Sequence, residues 1–222
     1  MKIIVTLRQY ASYAIFATIA GGLNSANAQV QFPVEKPSPK VGDVWNYRTV
    51  DLWTGKEQST LSLEFVGLEA DRLTYRSKSS LNNDVITDRE TTDLGPCRTM
   101  RNSDQPICTG SLRFPIQLGQ KTEFEKLPFL NGAGHRSAKC EVKGEEKVAV
   151  AAGTFDTVRV ECAGYWNRVF DGTRSGRLTQ TLWYAPKINR TVKNQFFDFN
   201  SFGGSPFNKN QTELVEFIPG KN

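Results

Sequence analysis

Lys139-Cys140-Glu141-Val142-Lys143-Gly144-Glu145-Glu146-Lys147-Val148-Ala149-Val150-Ala151, then, past Ala152-Gly153, Thr154-Phe155-Asp156-Thr157-Val158-Arg159-Val160-Glu161-Cys162-Ala163-Gly164-Tyr165-Trp166-Asn167, is the longest regular stretch of the chain. Its period is two. Cys140, Val142, Val148 and Val150 fall on one face of the first arm, and Val158, Val160, Cys162 and Trp166 on one face of the second. Alternation of this kind belongs to strands with one dry and one wet face, so residues 139–151 and 154–167 read as a hairpin. Both cysteines point into the same layer, which favours a bridge between them. A turn centred near Gly153 sets Val148 opposite Val158 and Cys162 opposite Gly144. A bulge at Lys143-Gly144 is then needed to bring Cys140 into line.

The same pattern extends outward on both sides. Leu61, Leu63 and Phe65 alternate with Ser62 and Glu64, and turn signals at Thr54-Gly55-Lys56, Ala70-Asp71 and Asn82-Asn83-Asp84 separate four strands at 44–53, 58–68, 72–81 and 85–93. Residues 94–110 read as a loop. A further strand pair is expected at 113–118 and 122–126, with Pro115 keeping the first at an edge or bulge. Downstream, strands at 177–185, 189–199 and 212–218 complete the set, and the Gly-, Ser- and Asn-rich 201–211 reads as a mobile segment. No amphipathic helix of convincing length is present. The expected fold is mainly β: a strongly curved antiparallel sheet of meander topology, a half-barrel or open barrel.

Lys2 and Arg8, the small and apolar run Ala11–Leu23, and Ala26-Asn27-Ala28 before Gln29 have the layout of a secretory signal peptide. The expected organisation is a signal peptide at 1–28, an extended proline-containing arm at 29–43, and one β-rich domain at 44–222, located in the periplasm or secreted. No integral membrane segment is expected after cleavage. Loss of Lys2 and Arg8 takes the formal charge from +5 to +3; with charges of both signs interspersed, this excludes a nucleic-acid protein. Four cysteines in an exported chain read as two disulfides with three connectivities, of which Cys97–Cys108 and Cys140–Cys162 are preferred. Without a C-x-x-C, and with His135 as the single histidine, neither a metal site nor a cofactor is expected.

Val150-Ala151-Ala152-Gly153-Thr154-Phe155-Asp156-Thr157-Val158-Arg159-Val160, Leu182-Trp183-Tyr184-Ala185-Pro186, Arg190-Thr191-Val192-Lys193 and Val41-Gly42-Asp43-Val44-Trp45-Asn46-Tyr47 carry a resemblance. The chain is similar to an exported bacterial family of unknown function marked by G-x-x-W-x-Y, A-G-T-F-x-x-[VL]-[RK] and W-Y-[AS]-P motifs. The resemblance implies a curved antiparallel sheet like the half-barrel of periplasmic lipoprotein carriers, and supplies no catalytic residues. By local chemistry alone, Arg190 and Lys193 read as solvent-facing edge charges.

Catalytic patterns are sparse. His135 lies in a glycine-rich stretch with no G-x-S-x-G elsewhere, Leu118-Gly119-Gln120-Lys121-Thr122 lacks the spacing of a phosphate loop, and Asp84, Asp88, Glu90 and Asp93 read as a solvated strand face. No catalytic residue is assigned. The aromatic residues point instead to a non-enzymatic binding or carrier domain for a hydrophobic or amphipathic ligand (a lipid, an acyl chain or an extended peptide), lined by Trp45, Tyr47, Trp166 and Trp183. The alternative is an envelope interaction or structural module that docks another envelope protein, and an envelope hydrolase stands last.

Overall fold

The computed structural model describes residues 30–100, 103–129, 132–168, 174–200 and 204–221; the expected signal peptide lies outside them. Among the described residues, alternating side chains build β1 (Val44–Asp51), β2 (Glu57–Glu69), β3 (Arg72–Ser79) and β4 (Asn82–Thr91), then the short β5 (Cys97–Thr99) and β6 (Pro106–Cys108). They continue with β7 (Lys121–Phe129), β8 (Gly134–Val150), β9 (Gly153–Arg168), β10 (Arg174–Ala185), β11 (Arg190–Asn200) and β12 (Pro206–Ile218). A 3-10 turn over Pro186–Ile188 joins β10 to β11. Among the described residues no helix is long and apolar enough to cross a membrane.

Ten strands form one antiparallel sheet in the order β4-β3-β2-β1-β12-β11-β10-β9-β8-β7. Two meanders, β1–β4 and β7–β12, are thus joined along a single ladder between the first strand and the last, with Tyr47 opposite Leu214 and Thr49 opposite Thr212. This corrects the expectation of a strongly curved half-barrel or open barrel. The sheet is large, open and meander-like, and its outer strands β4 and β7 do not pair with each other. Closure would need those two edges to meet in register. The connection between them instead carries its own hairpin, β5 against β6, with β5 in contact with both β4 and β7.

A second correction concerns 113–118, which is not a strand. Only Ile116 makes a bridge, to Val34 of the N-terminal arm, and β7 pairs with β8 instead. A third is β12, which begins at Pro206, inside the segment expected to be mobile.

The β8–β9 register shows how two small devices place the cysteines. A two-residue turn sets Val150 opposite Gly153 and Val148 opposite Phe155, not Val158. That turn alone would leave Cys162 facing Glu141, on the wrong face. One extra residue at Lys143, between Val142 and Gly144, shifts the ladder so that Cys140 meets Cys162. Gly144 takes φ +142 there, which an L side chain rarely adopts. Cys140–Cys162 and Cys97–Cys108 are bridged, each with Cα atoms 4.0 Å apart.

Two buried clusters hold the sheet together. One gathers Val158, Val160, Cys162, Leu178 and Tyr184 of the C-terminal meander under Leu112, Phe114 and Ile116 of the β6–β7 connection. The other joins Trp45, Phe65 and Tyr75 of the N-terminal meander to Trp183, Ile188, Val192 and Leu214. Leu94 packs against both. Each fully buried side chain of this size contributes roughly 1.5–3 kcal/mol.

Candidate functional site

The β6–β7 connection and the end of β4 cover part of the sheet, and a cavity of about 270 Å3 remains between them and the strands. Its apolar wall comes from both meanders: Tyr47, Leu61 and Leu63 from β1 and β2, and Phe124, Leu127 and Leu182 from β7 and β10. Leu94, just past β4, and Leu112 of the β6–β7 connection complete it. Polar groups share the lining, Ser111, Thr191 and Thr212 among them. Gln180 Nε2 donates to Asn194 Oδ1 at 3.0 Å on the sheet side, and Arg136, Glu90 and Arg190 also reach the lining. A mostly apolar wall with a handful of placed polar groups is the ordinary make-up of a small-molecule site.

Arg190 and Glu90 neutralise each other. Arg190 Nη1 lies 2.5 Å from Glu90 Oε2, with both side chains largely buried (11% and 16% exposed). The guanidinium also stacks over Tyr75 at 4.9 Å and Trp45 at 5.6 Å. Burial opposes its charge, but Glu90, with help from Tyr75 and Tyr47, more than offsets that and holds the Arg190 pKa above its ordinary value. Burial likewise raises the Tyr47, Tyr75 and Tyr184 hydroxyls. Arg190 is therefore not the solvent-facing edge charge its sequence context implied. Of the acidic run, Asp84 is exposed as expected, whereas the other three acids have partners. Glu90 is committed to Arg190, Asp88 pairs with Arg98 at 3.0 Å, and Asp93 Oδ1 accepts from Phe114 N at 3.2 Å.

The four aromatics expected to line one groove are distributed differently. Tyr47 borders the cavity and donates its hydroxyl to Thr191 O at 3.0 Å. Trp45 is fully buried, stacked on Phe217 with Nε1 donating to Ile188 O. Trp183 donates Nε1 to Glu146 Oε2 at 3.0 Å beneath Lys193. Trp166 belongs to a second, smaller cavity of about 60 Å3, shared with Phe129, Phe196, Phe207, Arg136, Arg168 and Asp198.

Arg136 is the residue that pattern reading missed, because its neighbours come from distant strands. It sits opposite Trp166 in the β8–β9 ladder, and it borders both cavities. Burial holds its pKa below the ordinary guanidinium value. Asp198, the acid of this corner, accepts from Asn208 Nδ2 at 3.0 Å, and burial raises its pKa against the opposing pull of Asn208, Arg136 and Arg168. His135 faces Asn167 across the same ladder. Among the described residues no group of three or more His, Cys, Asp or Glu side chains could hold a metal.

No family model matches the chain, and no curated protein does. Solved structures do. A candidate exported protein with a YmcC-like fold from Bacteroides fragilis is 14% identical, with 83% of this chain and 99% of that chain covered and a TM-score of 0.50. A candidate lipoprotein from Parabacteroides distasonis is 14% identical over 83% and 99% of the two chains, with a TM-score of 0.46. The hypothetical lipoprotein YmcC from Escherichia coli is 10% identical over 80% and 85%, with a TM-score of 0.36. The motif resemblance drawn from the sequence finds no support in a family model, and the first of these likenesses speaks to fold alone: the large antiparallel sheet is of the YmcC-like kind.

Proposed function

We propose that this chain is a non-enzymatic, extracytoplasmic binding or carrier domain that takes a hydrophobic or amphipathic ligand into the cavity between its sheet and the β6–β7 connection. The observation that carries this reading is the apolar wall itself, drawn from β1, β2, β7 and β10 and left unfilled by the protein's own side chains. Of the four aromatics read from the sequence, Tyr47 and Trp166 border the two cavities and would touch the ligand. Trp45 and Trp183, each with its indole N–H already satisfied, pack behind them. The leader and the two disulfides support a site of action outside the reducing cytosol. Native mass spectrometry and lipid extraction of protein purified from periplasm test the reading, together with uptake of a fluorescent fatty acid. Co-purification of an apolar ligand is the expected result, and protein that is always empty and never takes up the probe contradicts it.

The second reading, docking of another envelope protein, has one observation in its favour. Leu81, Val85 and Ile86, at the outer edge of the sheet, are exposed, and an unpaired apolar edge is a template for strand addition. A dominant protein adduct after cross-linking in cells would favour it over the carrier.

A further inference from the structure

We propose that Arg136 and Arg168 form a seat for the anionic head of an amphiphile whose chain occupies the larger cavity; this rests on the reading of that cavity as a ligand site. Arg136 is the residue common to the linings of an apolar chamber of about 270 Å3 and a small one of about 60 Å3. A ligand with a greasy body and a charged end matches that geometry.

The small chamber is short of acceptors. Arg136 Nε, Arg168 Nε and Trp166 Nε1 are buried and have no hydrogen-bond partner. Buried donors left unpaired are costly, and here three of them come from residues around one space. Both guanidiniums are held by aromatic faces: Arg136 lies 5.2 Å from the Phe196 ring and Arg168 5.8 Å from the Trp166 ring. A guanidinium drawn to a ring face by its charge still carries N–H groups that can bond an anion in a forked arrangement. Neither arginine has a carboxylate within ion-pair distance among the described residues. Asp198 is the one acid bordering the chamber, so two cations face one anion, and its carboxylate already accepts from Asn208. A carboxylate or a phosphate ester would supply the negative charge and the acceptors that are missing.

The full exported chain is titrated by calorimetry with decanoate, decyl phosphate and decanol. The expected result is that at least one anion binds about tenfold or more tightly than decanol, as one or two charge-assisted hydrogen bonds allow. Whichever anion is preferred identifies the carboxylate or the phosphate as the head. In Arg136→Gln the ratio of anion to alcohol affinity should fall to about one, and in Arg168→Gln it should fall part of the way. Asp198→Asn, which removes the competing negative charge, should raise the ratio, and it keeps the test open if Arg136→Gln does not fold. Equal affinity for decanol and both anions in the natural chain overturns the anion seat and leaves the apolar cavity as a ligand site. Failure to bind any of the three, decanol included, overturns the cavity reading itself.

Discussion

Arg190 and Arg136 both sit on strands of the C-terminal meander, both stack on aromatic rings, and both reach the same cavity. They differ in one respect. Arg190 has its own carboxylate at 2.5 Å, whereas Arg136 has a buried N–H without an acceptor and shares its nearest acid with a second arginine. A charge whose partner is built into the fold serves the fold. A charge whose partner is absent is available to something else.

The largest effect should come from breaking the matched pair. Glu90→Gln leaves a buried guanidinium uncompensated, so chemical denaturation should show a loss of about 3–5 kcal/mol, and Glu90→Gln with Arg190→Met should recover much of it. If Glu90→Gln is harmless, the contrast between the two arginines disappears. Next, replacing Cys140 and Cys162 together by alanine should cost about 2–4 kcal/mol. The sequence separation there is 22, against 11 for Cys97 and Cys108, so the first loss should exceed the second by about 0.6 kcal/mol. It should also disturb the surroundings of Trp166 by near-ultraviolet dichroism, because the same ladder sets Arg136 opposite Trp166.

Gly176→Ala probes the Arg136 corner alone. An added Cβ would lie 2.0 Å from Phe199 O and 2.6 Å from the Trp166 ring, an overpacking worth about 1–3 kcal/mol, seen as a shifted tryptophan emission with the Arg190 pair untouched. The smallest effect is electrostatic. Asp198 has a raised folded-state pKa, so its favourable contribution is complete below the unfolded value of about 3.9 and is lost as pH rises through the folded value. Asp198→Asn should therefore gain in melting temperature over the natural chain as pH climbs through the acid range, with a constant difference near neutrality. A difference that shrinks with rising pH would contradict the assignment.

Strands were legible where period two is clean, as in β1–β4 and β8–β11, because alternation is a local property. Sheet shape was not legible. Nothing in the spacing of Leu61, Leu63 and Phe65 says whether outer strands meet, and that outcome is decided by what the β4–β7 connection does. Residues 113–118 have strand composition yet serve as packing, since Phe114 and Ile116 drop into the core beneath the sheet. The hairpin register needed one correction, a shorter turn, while the bulge stands at Lys143 as the sequence reading placed it; a one-residue error would have reversed every side chain. The linings of the two cavities were half visible. Tyr47 and Trp166 stand out as aromatics on strands, while Arg136 and Arg168 look like ordinary surface cations until four strands are laid side by side.

The ladder between β1 and β12 has a kinetic consequence. Val44 to Asp51 must wait for Asn210 to Ile218, so a chain emerging vectorially can assemble β1–β4 and β7–β11 as separate patches but cannot stitch them until its final strand arrives. That seam closes the longest loop in the molecule, and long-range pairing of this kind is slow. The half-assembled species exposes two raw strand borders, which makes it the state most prone to aggregate.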